Sequence, residues 1–575
     1  MKEIEILTAF FLTICIALTG LASSSDPLEN ETLHVQILAI NDLHGWLEPP
    51  HGNVIVYYDS RFQPVQVAAG GIEYLATQIK GLKATNPETI LVSAGDNIGA
   101  SPMISSAFYD EPTIKALSMM SFDYSAVGNH EFDHGTSELM RMQYGCCHPA
   151  TECQGGERFV GAGFRYLAAN VINETTGETL FPPYDIRNVQ GVAVAFIGVS
   201  LKSTPAIVEP SKVKGLKFTD EAEAINKYVE VLRDQGVKTI VVLVHNGGLS
   251  EGLPNEGMES CEPVEDIVNR TDDEVDLFIT GHSHQAYITT IDGRLVTQAG
   301  WQGKFITDVD LVINPTTRDV VEVRAKNVAV TRDVPKDPTI SELLKKYTDL
   351  MRPMANEVVG SVTADITGNE TESGESALGD LIADAQLYAT SGGEGAVVAL
   401  MNPGGIRDDI LFNQTADEER PGEVIYEEAF DVQPFENSLI VMNLTGKQID
   451  SILEEQFDNP SPGQNRILQV SRGFTYVWNE SAPTGSKVDI ADIKINGTPI
   501  DTNGTYKVAA NCFLAEGGDG FVTLKEEIDR IFCISDTEAL VDYLKAFSPI
   551  SPPTMDRILV MKEMSCRLST QMIPA

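Results

Sequence analysis

Five apolar runs in the first 300 residues each end in side chains of the kinds that bind metal ions, and this repetition restricts the fold more than any other feature of the chain. Residues 34–40 run into Asn41-Asp42-Leu43-His44-Gly45. Residues 89–93 run into Ala94-Gly95-Asp96-Asn97, and residues 124–127 into Gly128-Asn129-His130-Glu131-Phe132-Asp133. Residues 239–244 deliver His245-Asn246-Gly247-Gly248, and residues 275–279 deliver Thr280-Gly281-His282-Ser283-His284. Short apolar runs separated by helix-length connections, such as the helical pattern over 72–82, read as buried strands of an α/β fold. Its site then lies at the carboxyl ends of the strands.

The residue types fit a two-metal site. In an extended segment residues i and i+2 share a side, so Asp42 and His44 are expected to grip one ion together. A carboxylate has two oxygens, which suits Asp96 to bridging two cations. The Asn129 oxygen adds a ligand without adding charge, and His130 with Asp133 three residues on forms an oriented acid/base pair. His282 and His284 can face two ions from one short loop. Each motif alone has a plainer reading as a turn with a satisfied histidine. Together they take five of the nine histidines of the chain, which packing alone does not explain.

With 575 residues the chain is long enough for two domains, and 42% hydrophobic content suits folded cores rather than disorder. The net charge of -42 repels polyanions, and no run of Lys or Arg offsets it, so no nucleic-acid polymer is expected as partner. A small anion remains possible where cations in a cleft invert the local field. Residues 1–25 hold an apolar stretch with a small-residue exit and read as a secretory signal, with an uncleaved anchor as the alternative. No later segment reaches a membrane-spanning apolar length, which predicts a protein secreted, periplasmic or at the cell surface. Nine Asn-x-Ser/Thr sequons are compatible with a glycosylated exported protein. Within the Gly-rich segment 145–163, Cys146, Cys147 and Cys153 read as disulfide partners rather than a zinc knuckle.

Further along, a helix is expected over 339–351, stopped by Pro353, with Leu343, Leu344, Tyr347, Leu350 and Met351 at helical spacing as an interdomain connector. Three later loops carry chemistry. Asn402-Pro403-Gly404-Gly405-Ile406-Arg407 places an amide and a guanidinium around a glycine turn, suited to phosphate or carboxylate. Gln433-Pro434-Phe435-Glu436-Asn437 and the stretch from Asn511 through Phe513 to Asp519 and Phe521 set a Phe beside polar side chains. Two aromatic faces could sandwich a base, with Asn437 or Asp519 bonding to sugar or base edges. Read alone, Phe435 and Phe513 are core residues sooner than a base-binding pair.

Taken in order, Asp-x-His, Gly-Asp-Asn, Gly-Asn-His-Glu, His-Asn-Gly-Gly and Gly-His-Ser-His resemble the calcineurin-like metallophosphoesterases. Over residues 33–562 the chain resembles the two-domain secreted 5'-nucleotidase family, which includes UDP-sugar hydrolases and ecto-5'-nucleotidases. The resemblance implies a four-layer α/β/β/α domain over 33–330, a helical linker over 331–357 that carries a domain rotation, and an α+β substrate-binding domain over 358–562. It implies two divalent ions, with Zn or Mn expected. One takes Asp42, His44, Asp96 and His284, and the other takes Asp96, Asn129, His245 and His282. It also implies His130 as proton donor, oriented by Asp133, and matches Asn402, Arg407, Phe435, Phe513 and Asp519 to substrate-binding motifs. The expected activity is release of phosphate from nucleoside phosphates. One departure stands out: family members carry arginine just before the helix that starts near Leu378-Gly379-Asp380, and residues 371–380 here have none. Cyclic nucleotides, nucleoside di- and triphosphates and UDP-sugars therefore stay open as substrates. A non-catalytic surface protein of this fold predicts gaps in the ligand set, and none is present. A thiosulfate-carrier hydrolase fits poorly if the two phenylalanines stack a base, and a nuclease fits poorly with the charge.

Overall fold

Alternation with period two sorts the first strand. In Leu33–Ile40, Val35, Ile37 and Ala39 point to one face and Leu38 and Ile40 to the other, and both sets are buried. A strand that is apolar on both faces needs cover on both. In the computed structural model, a second sheet covers one face and helices cover the other. The model describes residues 32–562 apart from 251, 259–262, 414–418, 460–461 and 528. The expected signal segment, Cys261 and Cys566 lie outside the described residues.

The first six-stranded sheet runs Val320–Ala329, Phe305–Ile313, Leu33–Ile40, Thr89–Ser93, Tyr124–Ala126, Arg165–Leu167 from edge to edge. The second, also six-stranded, runs Ala286–Ile291, Arg294–Ala299, Leu277–Thr280, Thr239–Val244, Val192–Val199, Tyr184–Val189. Val35, Ile37, Ile90 and Val92 of the first meet Phe196, Val241, Leu243 and Ile279 of the second in one core. Helices Ile72–Lys83, Glu111–Met119 and Pro338–Ala355 cover the outer face of the first sheet. Helices Glu221–Asp234 and Val264–Arg270 cover that of the second. This is the expected four-layer α/β/β/α arrangement.

The five ligand-bearing strands do not share one sheet. Three are parallel neighbours in the first, and Thr239–Val244 pairs with Leu277–Thr280 in the second. Their carboxyl-terminal loops meet across the interface between the sheets. There His245 Nδ1 donates to the Ala94 carbonyl at 2.8 Å, and the His282 amide donates to the Asp42 carboxylate at 3.0 Å.

In the second half a five-stranded mixed sheet runs Gln469–Val470, Val398–Met401, Thr505–Asn511, Ser438–Thr445, Arg530–Ser535. Helices Ala377–Ser391 and Asp536–Phe547 share one core through Leu381, Ile382, Leu540 and Leu544. Gly446–Glu454 buries Ile449, Ile452 and Leu453 in another. Helices alternate with the strands of this mixed sheet along the chain, so the half combines helices and strands as expected without segregating them.

The expected connector helix differs in extent and in the face it buries. It runs Pro338–Ala355, straight through Pro353. Proline removes the hydrogen bond to the carbonyl four residues back, which here belongs to solvent-exposed Asp349 in the last turns, where water can take its place. The buried stripe is Ile340, Leu344, Tyr347, Met351 and Ala355, while Leu350 is half exposed. That stripe belongs to the core of the first half, which also takes in Phe430 from the second. In the 145–163 segment Cys147 and Cys153 lie at disulfide distance, with Cα atoms 4.7 Å apart, whereas Cys146 is free and exposed.

Tyr347 is the anchor of the helix. It is fully buried, its ring centroid lies 4.7 Å from that of Phe108, and Lys115 Nζ donates to its hydroxyl at 2.6 Å. Tyr347→Ala is expected to cost about 3–5 kcal/mol and Tyr347→Phe about 1 kcal/mol in urea unfolding. A loss below about 1 kcal/mol for Tyr347→Ala would show that the helix is not held by this core.

Candidate dinuclear metal centre and substrate cleft

Left-handed backbone builds the loops. Asp42 and His44 both have φ of 48°, Asp96 49°, His282 72° and His284 59°. Such values are uncommon for residues with a side chain and cluster at functional sites, because the surrounding structure must hold them there. Asp42 and His44 thus come together through tight turns, not through the extended alternation expected from their spacing. Close approach also fixes Gly128, where a Cβ would stand 2.1 Å from Asp96 Oδ1.

The predicted ligands converge. Asp42, His44 and His284 present donor atoms within 4.8 Å of one another, as do Asp96, His245 and His282. His282 and His284 therefore turn to different groups, as expected from a loop serving two ions. Asp96 lies between the groups, with Oδ2 3.9 Å from His44 Nε2 and 3.0 Å from His245 Nε2. Asn129 Oδ1 is 3.1 Å from His245 Nε2.

Hydrogen bonds fix the tautomers. His44 Nδ1 lies 3.0 Å from the Gly99 carbonyl and His245 Nδ1 2.8 Å from the Ala94 carbonyl. A carbonyl only accepts, so each Nδ1 carries a proton and each ring turns its Nε2 inward. Burial disfavours the charged His245 ring, but the Asp96 carboxylate outweighs it and raises His245 to about 9. His44 Nε2 faces His284 Nε2 at 3.0 Å. Asp96 Oδ2 is buried and accepts no hydrogen bond. Burial also pushes the Asp42 carboxyl up to about 7 and the His44 and His284 rings well below the usual histidine range. Imidazole and carboxylate ligand atoms gathered this closely out of water fit a pair of divalent cations, whose charge would displace the protons held there.

Beside this cluster His130 Nδ1 lies 2.9 Å from Asp133 Oδ2. Burial disfavours the charged ring, but the Asp133 and Asp96 carboxylates outweigh it and hold His130 above the ordinary histidine value. Asp133 Oδ2 also accepts from the Ala100 amide at 3.1 Å, which fixes its orientation.

A cavity of about 420 Å³ joins the two halves of the chain. The first half contributes Asn129, His130, Asp133 and His282, and the second contributes all six predicted substrate residues: Asn402, Arg407, Phe435, Asn437, Phe513 and Asp519. Among the described residues the Arg407 guanidinium has no carboxylate partner, and it lies 6.0 Å from the Phe435 ring centroid. Phe435 is also 5.9 Å from the His130 ring. Phe513 packs over Gly518 of its own loop, and no stacking contact joins the two phenylalanines among the described residues. Asn437 is partly committed, donating to Asp536 Oδ2 at 3.3 Å. Asp519 accepts from Asn402 Nδ2 at 3.1 Å and from Arg466.

Three participants had no role in the sequence reading. Glu131 ties the loops together by accepting from the amides of Asp96 at 2.8 Å, Asn97 at 2.9 Å and Gly128 at 2.6 Å. Its place inside Gly-Asn-His-Glu was a usable signal. Trp301 lies flat on the His284 ring, 4.8 Å between centroids and 7° between planes. Arg466 reaches the cavity from a loop with no motif around it.

Comparisons with known proteins agree with this geometry. Residues 35–286 match the calcineurin-like phosphoesterase model and residues 358–526 the 5'-nucleotidase C-terminal domain model. Endonuclease YhcR of Bacillus subtilis is 36% identical over 92% of this chain, which spans only 41% of that protein. Cell wall protein Lmo0130 of Listeria monocytogenes is 34% identical over 90% of this chain and 67% of its own length. The structure of a 5'-nucleotidase precursor from Thermus thermophilus superposes with a TM-score of 0.75 at 27% identity, over 92% of this chain and 100% of that one. A phosphoesterase domain with its ligands gathered at the strand ends, followed by a nucleotidase C-terminal domain facing them across one cavity, makes this chain a phosphoester hydrolase of the 5'-nucleotidase family.

Proposed function

We propose that the chain is an exported nucleotidase that releases phosphate from nucleoside phosphates in the cavity between its two halves. The observation that carries this reading is the meeting, in one cavity, of metal-ligand side chains from the first half with Arg407, Phe435, Phe513 and Asp519 from the second. The apolar segment within residues 1–25 and nine sequons support export, as does the printed description of the Listeria relative as a cell wall protein. Among the described residues no helix is long and apolar enough to cross a membrane.

In this reading Asp42, His44, Asp96 and His284 hold one divalent ion and Asp96, Asn129, His245 and His282 the other. The donors are nitrogen and oxygen without sulfur, which fits Zn or Mn. When bound, such ions supply Lewis acidity, drawing in phosphoryl oxygens and making water acidic enough to attack near neutral pH. Arg407, unpaired and close to the centre, neutralises and orients the phosphate. Phe435 and Phe513 bracket the base. As the attacking water oxygen forms its bond to phosphorus, the bond to the ribose 5' oxygen breaks, and the leaving alkoxide takes a proton from His130. Asp133 keeps that proton available by holding the ring in place and favouring its charged form.

A second reading, polymer cleavage, has one observation in its favour, the endonuclease name of the Bacillus relative. The charge of -42, which repels polyanions, favours small substrates.

Two outcomes test the proposal. In a metal-supplemented panel of AMP, ADP, ATP, UDP-glucose, 2',3'-cyclic AMP and single-stranded DNA, the nucleotides are expected to be cleaved and the polymer spared. Phe513→Ala should flatten discrimination among nucleosides; faster cleavage of DNA than of any nucleotide would favour the second reading instead. His130→Ala is expected to lower kcat by about 10²–10⁴-fold with metal content retained. A parallel loss of metal would make His130 a ligand and leave the proton donor unassigned.

A further inference from the structure

The second half brings side chains of opposite charge into the cavity. Near the ligand cluster stands the unpaired Arg407, whose surroundings suit an anion. Asp519 lines the same cavity, and its carboxylate repels anions and offers lone pairs to hydroxyl donors. Asp519 is held with unusual firmness. Its backbone is left-handed, with φ of 56°, and its carbonyl accepts from Asn459 Nδ2 at 2.7 Å. One carboxylate oxygen accepts from Asn402, itself fixed by Asn511 at 2.9 Å, and the other accepts from Arg466.

Arg466 is placed for this contact. Its amide donates to the Gln456 carbonyl at 2.8 Å, and the neighbouring Ile467 and Gln469 side chains pack on and hydrogen-bond to the arginine-free 371–376 turn. Only 22% of its side chain is exposed, and it lines the cavity beside Asp519. Because its charge is matched by Asp519, the pair adds no net field for phosphate. What it adds is a carboxylate locked in one orientation, with a free lone pair on each oxygen. Two parallel acceptors of that kind suit the vicinal hydroxyls of a ribose.

We propose that Arg466 is a specificity-determining residue that reads the ribose through Asp519, so that the enzyme selects ribonucleotides over analogues lacking the 2' and 3' hydroxyls. Burial pushes the Asp519 carboxyl above the ordinary carboxylate value, and Arg466 is the largest of the groups that oppose this. Without Arg466 the carboxylate would be both less firmly aimed and more readily protonated. The proposal rests on the nucleotide reading above and extends it to one residue that no motif marks.

The test measures kcat and KM of the metal-supplemented enzyme on AMP, 2',3'-dideoxy-AMP and p-nitrophenyl phosphate. The variants are Arg466→Met, Arg466→Lys, Asp519→Asn and the Met/Asn double variant. In wild type the ribo form should be preferred. Arg466→Met should lower that preference by about 10- to 100-fold, through KM for AMP and not through kcat. Arg466→Lys, which keeps a donor, should recover most of it, and the double variant should be no worse than Asp519→Asn alone. A wild-type preference that survives Arg466→Met, or a loss in kcat equal on all three substrates, overturns the role of Arg466 and leaves the nucleotidase reading standing. Wild-type turnover of p-nitrophenyl phosphate with none of AMP overturns both.

Discussion

Asp96 is the group on which the arrangement depends. Its carboxylate is fully enclosed, one oxygen accepts from the His130 amide at 2.8 Å, and the other accepts nothing while imidazole nitrogens approach it from both sheets. A buried carboxylate is expensive unless its neighbours compensate it, and here, against burial, the His245, His130 and His44 rings hold Asp96 well below the usual carboxylate range. The surrounding loops are kept in left-handed conformations that few residues adopt unforced, at Asp42, His44, Asp96, His282 and His284 alike. Nothing in hydrophobic packing asks for such turns. They are stable because the sheets beneath them are rigid and because Glu131 gathers three loop amides onto one carboxylate. The folding energy of the four-layer core is thus what holds an assembly that would not hold itself.

The second half completes what the first begins. Ligand side chains alone describe a site that could act on many phosphoesters. Arg407, Phe435, Phe513 and Asp519 enter the cavity from the second half and give it the lining on which the proposed selectivity rests. His130 and Phe435 lie 5.9 Å apart across that junction, so the two rings, one from each half, share a wall of the cavity. The Met103 amide donates to Asp431 at 2.7 Å, a further direct tie between the halves.

Much of this was legible in the sequence, for physical reasons. Buried strands such as 192–199 and 239–244 are continuous apolar runs, and the structure reproduces those limits. A run that stops abruptly in Asp, His or Asn at a glycine marks a loop whose cost needs a return, and each of the five did so. Two kinds of information were not legible. Local geometry was one: the Asp42 and His44 spacing suggested an extended pair, and left-handed turns are used instead. Helix context was the other, since Pro353 reads as a stop but sits where its lost hydrogen bond faces water. Arg466 and Trp301 carry no local pattern at all. Their roles arise only from which loops the tertiary fold brings together.

The most direct measurement is the number of divalent ions retained per chain, by elemental analysis after removal of loosely bound metal, with anomalous scattering to place them. Two ions per chain are predicted, one against Asp42, His44 and His284 and one against His245, His282 and Asn129, with Asp96 touching both. A chain that holds no ion at these positions, or whose ions sit away from Asp96, would contradict the dinuclear centre.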